Sequence, residues 1–379
     1  MEPREQRPTA FFLYRDSALR RAALESAAGS AARYSLYGLD ELADAGWVVR
    51  HNLEPGRATG HGARAVGGAL DRLVRLGGGY SGDFPGVLVS RRALGRTDVV
   101  FSTVDTVGIP LVLISRLGLV QTPIVYAAIG LPERLEQLRG GPAERLYLSA
   151  YRRLHTILAY GAGEVDTLRA WLGEGGPKVV FVPFGVDTES FRPDPARAPE
   201  TDVVSAGSDP RRDFGLLLEI AARRPEWSVH VVGSSDNAGV LTMPPANLTT
   251  EVAIPFVGVR DRLASSRVVA LPVRENSYSG ATTVLLQSMA LGKPVVVSWT
   301  AAIARGYHLE DGVNCRLVPP GDGVALERAI GDLLADPEQA AALGARARET
   351  VERHLGWDRY AGTIQELLTA AAGGTTVSG

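Results

Sequence analysis

Residues 268–298 read VVALPVRENSYSGATTVLLQSMALGKPVVVS, and this stretch indicates the fold class. An apolar strand, Val268–Leu271, leads into a polar loop, and a helix then begins near Gly280 and ends before Gly292. A second strand follows at Pro294. In a parallel sheet, this order puts the polar loop at the carboxyl edge, with the N-terminus of the helix directed at it. The stretch therefore predicts an α/β fold with an anion-binding loop.

Short runs of β-branched residues recur along the rest of the chain, with amphipathic segments of helical length between them. Further strands are predicted at Val99–Ser102, Ile124–Ala127, Lys178–Val182, Asp202–Ala206 and Ser228–Val232. Near-continuous apolar strands that alternate with helices are typical of parallel sheets covered on both faces. Near the C-terminus, residues 323–335 and 337–354 predict paired helices, and Trp357–Ala371 predicts a last one.

The length of 379 residues suits two doubly wound domains rather than one. Residues 188–202 are rich in proline and charge and lack a hydrophobic period, so we expect a linker there. The predicted organisation is a first domain over 1–187, a second over 188–356, and a final helix and tail over 357–379. A cleft between the two domains is the expected ligand site. The glycine-rich residues 65–86 predict a loop, which is either a mobile surface loop or a backbone approach to a ligand.

Composition excludes several classes of function. The formal net charge is −2, which argues against a nucleic-acid partner. Cys315 is the only cysteine, so an internal disulfide framework and a cysteine-based metal cage are excluded. The six histidines lack metal-ligand spacing, and we expect no metal. Because Lys178 and Lys293 are the only lysines, which GC-rich coding explains, phosphate contacts should come from arginines and backbone amides.

The chain offers no targeting or membrane-spanning signal. The apolar stretch near the N-terminus is too short for a signal peptide, and charged residues and prolines break the apolar segment at 107–131. We expect a bacterial cytoplasmic protein. Clusters of arginine leave peripheral membrane contact open, although a solvated helix face is the favoured explanation: Arg91, Arg92, Arg96, Arg145, Arg152 and Arg153. The sequence leaves the oligomeric state undetermined.

The start of the helix near Gly280 is the strongest candidate site. Ser279 is the expected N-cap, and Gly280 lets a ligand approach the free N–H groups of the first turn. Thr282 and Thr283 add hydroxyl donors there. Gln287 lies one turn after Thr283 on the same helical face. The alternative is a capped structural helix that binds nothing.

A second candidate loop lies in residues 205–220, SAGSDPRRDFGLLLEI, which again follow a strand and open a helix. Arg211 and Arg212 lie at the turn, where a guanidinium can hold phosphate oxygens with two parallel hydrogen bonds. A local ion pair between Arg212 and Asp213, which binds nothing, is the alternative.

Several motifs in one order resemble the retaining family-4 glycosyltransferases of the GT-B fold. The resemblance covers about residues 178–372 and rests on the two stretches above together with VPFGVDTESFRP at 182–193 and HLEDGVNCRLVPPGD at 308–322. It implies two Rossmann-like domains facing a cleft, with a C-terminal helix that crosses back to the first. It also implies transfer of a sugar, with retention, from a nucleotide diphosphate sugar bound mainly in the second domain.

Carried over by position, the resemblance assigns roles in donor binding. Arg212 falls where the family has a lysine on the diphosphate, and Gly207 where an accompanying arginine is usual. Ser279 and Gln287 stand at the positions of the family's two glutamates. We hypothesise that Glu275 replaces the first of them and contacts hydroxyls of the donor sugar, while Gln287 reaches the ribose.

The first domain resembles the family only in its pattern, and the family's histidine after the strand at 123–127 is missing. Asp105, just after a strand, is predicted to meet the acceptor and take part in catalysis; its alternative role is a helix N-cap. Arg15, Asp16 and Ser17 follow the first strand and are candidate acceptor-binding residues.

The predicted partners are therefore a nucleotide-sugar donor and an acceptor, which is a small-molecule natural product or a cell-surface glycan or lipid. Arg212, Arg211 and helix amides would stabilise the departing nucleotide diphosphate, with no further cofactor and no metal. Two alternatives stay open. One is a degenerate protein that binds a nucleotide sugar without catalysis, and the other is a related GT-B enzyme such as a pseudoglycosyltransferase or a sugar-nucleotide epimerase.

Overall fold

The computed structural model describes residues 7–27, 31–54, 61–80, 82–278 and 280–373. The chain divides into two units, Met1–Val182 with Ala361–Gly379, and Pro183–Tyr360. Residues 188–202 lie inside the second unit, so the expectation of a linker there is wrong. Phe191 is buried, and Arg348 donates to the backbone carbonyl of Phe191 at 3.0 Å, which ties this segment to the second unit.

The first unit is built on six parallel strands in the order β2-β1-β3-β4-β5-β6. The strands are β1 Thr9–Leu13, β2 Val48–His51, β3 Val99–Ser102, β4 Ile124–Ala128, β5 Thr156–Ala159 and β6 Lys178–Phe181. The helices are α1 Ala18–Glu25, α2 Leu39–Asp44, α3 His61–Leu76, α4 Phe84–Leu94, α5 Asp105–Arg116, α6 Leu131–Glu136, α7 Pro142–Tyr151 and α8 Ala162–Leu172. The central strands β3, β4 and β5 are buried along their whole length, as apolar strands covered by helices require.

The second unit repeats this plan with the order β12-β11-β10-β7-β8-β9, again all parallel. The strands are β7 Thr201–Ala206, β8 Val229–Gly233, β9 Leu248–Val252, β10 Ser266–Leu271, β11 Val295–Ser298 and β12 Arg316–Val318. The helices are α9 Phe214–Arg223, α10 Phe256–Ala264, α11 Thr282–Ala290, α12 Gly323–Ala335, α13 Pro337–His354 and α14 Trp357–Ala372. Helix α14 begins in the second unit, and from Ala361 onward it belongs to the first.

The predicted α/β class with two doubly wound parallel sheets is confirmed. Sequence patterns missed β2, β5, β9 and β12, which are short, and of these only β5 is fully buried. The loop predicted over 65–86 is wrong, because its first half is helical in α3 and its last residues begin α4. Gly67 serves the packing of these two helices, since a Cβ there would lie 2.7 Å from the ring of Pro85.

Both sheets have a point where the strand order reverses direction. In the first unit it lies between β1 and β3, and in the second between β7 and β10. Loops that leave the carboxyl ends of the two strands at such a point part from each other and open a crevice that commonly binds ligands. The two switch points are therefore the places at which to look for a site.

Across the part of the chain that the structure describes, no helix has both the length and the apolar character needed to cross a membrane.

Candidate functional site

Two loops meet at the switch point of the second unit. The first loop, 207–213, follows β7, and the second loop, 272–281, follows β10. Backbone hydrogen bonds join them, from Asp213 to the carbonyl of Pro272 (3.0 Å) and from Arg274 to the carbonyl of Arg211 (2.9 Å). The structure thus brings together the two stretches that the sequence singled out separately.

Arg212 is the most unusual side chain of the first loop. Only 4% of it is exposed, and its Nε and Nη1 are buried without a hydrogen-bond partner among the described residues. Burial lowers the pKa of the guanidinium to about 10, which leaves it charged at neutral pH. A buried cation with unused donors costs free energy unless an anion joins it, so the site is set up for one.

Gly207 provides the space that Arg212 occupies, since a Cβ at Gly207 would collide with the Arg212 guanidinium. The resemblance noted in the sequence places Gly207 where the family usually has an arginine, which suggested the loss of a positive charge. In the structure, the absence of a side chain at Gly207 lets the Arg212 guanidinium lie against the backbone of that residue. The local ion pair considered as an alternative does not form, because Asp213 pairs instead with Arg274 at 3.5 Å.

Helix α11 starts at Thr282, and its N-cap is Ala281, which makes no side-chain capping bond. Ser279, the expected N-cap, lies outside the described residues. The Thr282 hydroxyl is buried and lacks a hydrogen-bond partner within the described part of the chain. A first turn that no described side chain caps leaves backbone N–H groups and a hydroxyl for a ligand that carries negative charge.

Asp209 and Tyr278 connect the two loops, and sequence reasoning missed both. The Tyr278 hydroxyl donates to Oδ1 of Asp209 at 2.9 Å, and the backbone N–H of Arg211 donates to the same oxygen at 2.7 Å. A Cβ on Gly280 would approach the Asp209 carboxyl carbon to 2.9 Å, so Gly280 makes its close approach to this side chain. An acidic residue in a polar loop directly after a strand was the available signal.

The remaining donor-site candidates lie on or beside α11. Thr283 is half-buried and Gln287, one turn later, is 4% exposed, so both lie on the predicted helix. Glu275 is exposed, and its Oε1 accepts hydrogen bonds from the backbone N–H groups of Ala301 (3.0 Å) and Asn276 (3.1 Å). One oxygen of Glu275 therefore anchors the second loop to the chain after β11.

The switch point of the first unit contains Asp105, the first residue of α5. Its carboxyl is 2% exposed and accepts hydrogen bonds from the Tyr126 hydroxyl (2.7 Å) and the Ile129 N–H (3.4 Å). Burial raises its pKa to about 6. Val104 is the N-cap, so the capping alternative does not hold. The Asp105 carboxyl faces groups of its own unit, and its predicted role in catalysis stays a prediction.

The three residues after β1 are placed by the start of α1. Ser17 is its N-cap and accepts from the Arg20 N–H at 3.4 Å, while Asp16 holds Arg21 through two short hydrogen bonds of 2.7 and 2.6 Å. Arg15 is exposed at the carboxyl edge of the sheet. Their predicted contact with an acceptor stays a prediction.

Comparison with known proteins places this site in a family. The family model described as "Glycosyl transferases group 1" matches residues 212–336, which include both Arg212 and α11. A GDP-mannose-dependent alpha-(1-6)-phosphatidylinositol monomannoside mannosyltransferase of Mycolicibacterium smegmatis is 28% identical over 51% of this chain and 57% of its own length. A phosphatidyl-myo-inositol mannosyltransferase of the same organism is 30% identical over 55% of this chain and 56% of its own.

Over residues 212–336 the chain is similar to the glycosyl transferases of group 1, and its fold is that of the GT-B glycosyltransferases. It spans little more than half the length of the two relatives. Among solved GT-B structures, sucrose-phosphate synthase of Thermosynechococcus elongatus superposes with a TM-score of 0.72 at 18% identity, covering 98% of this chain and 100% of that one. Anabaena HepE in complex with UDP-glucose gives 0.65 at 14% identity, covering 96% and 99%. At these identities the likeness concerns the fold.

Proposed function

We propose that this family-4 glycosyltransferase moves a sugar from a nucleotide diphosphate sugar to an acceptor hydroxyl, with retention of configuration. The observation that carries the proposal is the unpaired Arg212 guanidinium at the switch point of the second unit, next to the uncapped start of α11. The donor diphosphate supplies the negative charge that these groups lack.

In this proposal, catalysis is mainly electrostatic. As the bond between the sugar and the diphosphate breaks, negative charge grows on the leaving oxygen, and Arg212 and the first-turn amides of α11 stabilise it. The acceptor hydroxyl attacks the same face that the leaving group vacates, and a phosphate oxygen takes its proton. Because the protein supplies this positive charge, we propose that no metal is needed. Full activity in the presence of EDTA would support this, and restoration of lost activity by a divalent cation would contradict it.

We further propose that Glu275 contacts hydroxyls of the donor sugar through Oε2, which has no hydrogen-bond partner among the described residues. Thr283 and the backbone at Gly280 would hold the diphosphate, and Gln287 the ribose. Titration of donor onto Glu275→Ala and Thr283→Ala tests these roles. Unchanged affinity in both variants would contradict them.

The acceptor is proposed to be a small molecule, a glycan or a lipid. Two relatives are named as enzymes that mannosylate phosphatidylinositol compounds, which supports an acceptor at a membrane surface and peripheral contact of this chain with that surface. A relative named as a lipopolysaccharide core glycosyltransferase, from Rhizobium meliloti, is consistent with the same class of acceptor.

The test is a thermal-shift screen of the whole chain against nucleoside diphosphates and their sugar conjugates. A ligand that binds only the folded state raises the melting temperature with its concentration, so the cognate nucleotide should stand out. The shift at a given nucleotide concentration should be much smaller in Arg212→Gln and unchanged in Arg223→Gln, which removes an exposed arginine at the far end of α9. Absence of a shift with every nucleotide would overturn the proposal.

A non-catalytic nucleotide-sugar-binding protein is the second candidate, and Gln287 favours it, because this amide stands where the family has a carboxylate. Binding in the screen without transfer or hydrolysis of the bound donor would establish the second candidate. Turnover would establish the first, and the anomeric NMR signal of the product would then test retention. A related GT-B enzyme, such as an epimerase or a pseudoglycosyltransferase, would reveal itself by a product without a new glycosidic bond.

A further inference from the structure

One guanidinium is held in a fixed orientation at the carboxyl edge of the first unit's sheet. Arg134, in α6, forms an ion pair with Asp105, in which Nε lies 3.4 Å from Oδ2. Its Cζ lies 3.7 Å from the centre of the Tyr80 ring, a cation–π contact. The backbone of Tyr80 is fixed in turn, since its carbonyl accepts a 2.6 Å hydrogen bond from the Tyr147 hydroxyl. Contacts with both a carboxylate and a ring therefore restrict the guanidinium.

The Asp105 carboxylate, which pairs with Arg134, is itself held in place, because its other oxygen, Oδ1, accepts hydrogen bonds from the Tyr126 hydroxyl and the Ile129 N–H. By contrast, 29% of the Arg134 side chain is exposed. Among the described residues, its Nη1 and Nη2 have no protein partner. A positioned guanidinium with two unused terminal nitrogens matches the two oxygens of a carboxylate or a phosphate.

We propose that Arg134 binds an anionic group of the sugar acceptor, a phosphate or a carboxylate. This inference rests on the proposed glycosyltransferase function and names the class of acceptor. Asp105 acts as a positioning residue, which touches Arg134 and no ligand.

The location of Arg134 fits this role. Helix α6 follows β4, which is separated from β1 only by β3, so the ends of β1 and β4 are roughly 10 Å apart at the same edge. Arg15, exposed two residues after β1, lies at that edge as well and adds positive charge. An acceptor at the switch point would thus meet guanidinium groups on both sides of the Asp105 loop.

Three matched probes test the proposal: glycerol phosphate, glycerate and glycerol. Binding is measured by calorimetry on the full chain with the Arg212→Gln substitution, which removes the competing phosphate site of the second unit. We expect glycerol phosphate or glycerate to bind and glycerol to fail, and the stronger of the two anions identifies the acceptor group. Arg134→Gln should weaken that binding about tenfold, the loss expected for one charge-assisted contact.

Arg139→Gln is the control, because Arg139 is a 72% exposed arginine a few residues further along. It should leave the affinity unchanged. Equal binding of the three probes, equal affinity with and without Arg134, or no binding of either anion would each overturn the proposal. Nucleoside diphosphate binding to the chain with Arg212 intact is measured in parallel. If the chain binds a nucleoside diphosphate, a negative result with the three probes overturns only the anionic acceptor. If it binds none, the proposed function is overturned as well.

Discussion

The two switch points share one topology and contain opposite buried charges. In the second unit, the loop after β7 buries a cation, Arg212, and leaves two of its nitrogens without partners among the described residues. In the first unit, the loop after β3 buries an anion, Asp105, and surrounds it with a tyrosine hydroxyl, a backbone N–H and Arg134.

This difference indicates which switch point receives which group. A buried cation with unused donors destabilises the free protein and a bound anion removes that cost, which is why we propose that the diphosphate binds in the second unit. The buried anion of the first unit is also destabilised by burial, but a cation of its own unit, Arg134, lies beside it, and the anion fixes the position of that partly exposed arginine. The same backbone plan thus supports direct binding in one unit and positioning of a binding residue in the other.

Arg212→Gln should have the largest effect. Loss of hydrogen bonds to a charged group, worth about 1.5–3 kcal/mol, predicts roughly 10- to 100-fold weaker binding of the donor nucleotide by calorimetry. The same variant should melt at a higher temperature without ligand, because a buried unpaired charge is gone. A lower melting temperature of the free protein would break the comparison, since Arg212 would then be a stabilising group.

Arg212→Lys is the matched control for charge. It should keep measurable donor binding, because the ammonium retains the positive charge. Complete loss would show that the fork of the guanidinium is needed as well as its charge.

Asp105→Asn tests the first unit. Burial raises the pKa of Asp105 from 3.8 to about 6, so the folded state disfavours the ionised form. The wild type should therefore lose stability relative to the variant, on the order of 3 kcal/mol, as pH rises from about 4 to above 6. Denaturant unfolding across this range measures the difference.

Asp202→Asn provides a control of opposite sign. Although burial acts to raise the pKa of Asp202, hydrogen bonds from Ser228 and Arg267 leave it lowered overall. The wild type should be the more stable of that pair above about pH 4, and its advantage should fade below 3.8. The stability difference between wild type and Asp105→Asn should change with pH in the direction opposite to that between wild type and Asp202→Asn. If both differences changed in the same direction, Asp105 would not be a destabilised anion, and the contrast between the two switch points would fail.

Gly207→Ala sharpens the account of the second unit without removing any charge. The added methyl group would displace the Arg212 side chain from the backbone, so donor affinity should fall about tenfold while the chain remains folded. Gly215→Ala, in α9, is the control, because its nearest neighbour, Oδ1 of Asp213, is 3.9 Å away. Equal donor affinities for the two alanine variants would show that the position of the Arg212 side chain does not affect donor binding.

Sequence patterns predicted the parts of this molecule that local rules decide. Apolar strands such as β7 and β10 and the helix after Gly280 could be predicted, because each depends on neighbouring residues. The contact between the two loops could not be predicted in detail from the sequence, since Asp209 and Tyr278 are 69 residues apart and their contact depends on strand order. Gly207 was misjudged for another reason: it makes room for the Arg212 side chain five positions later, and that contact depends on the conformation of the loop.

The burial of Asp105 and its pairing with Arg134 could not be predicted from the sequence. An aspartate just after a strand predicts an exposed loop residue equally well, and the decisive partner, Tyr126, lies on the neighbouring strand. The cation–π contact of Arg134 with Tyr80 likewise joins segments that the sequence keeps apart. Long-range packing therefore decided which candidate could touch a ligand.

Thr282→Val should give the smallest effect and isolates a neutral donor from the charge of Arg212. Valine has nearly the shape of threonine without its hydroxyl, which is buried and unpaired among the described residues. Donor affinity should fall about fivefold, as for one neutral hydrogen bond of about 1 kcal/mol, while the free protein gains stability of similar size. Thr167→Val, whose exposed hydroxyl donates to the Gly163 carbonyl at 2.9 Å, should change neither. If Thr282→Val weakened the free protein and left donor binding intact, the hydroxyl would be structural. The start of α11 would then bind through its backbone alone.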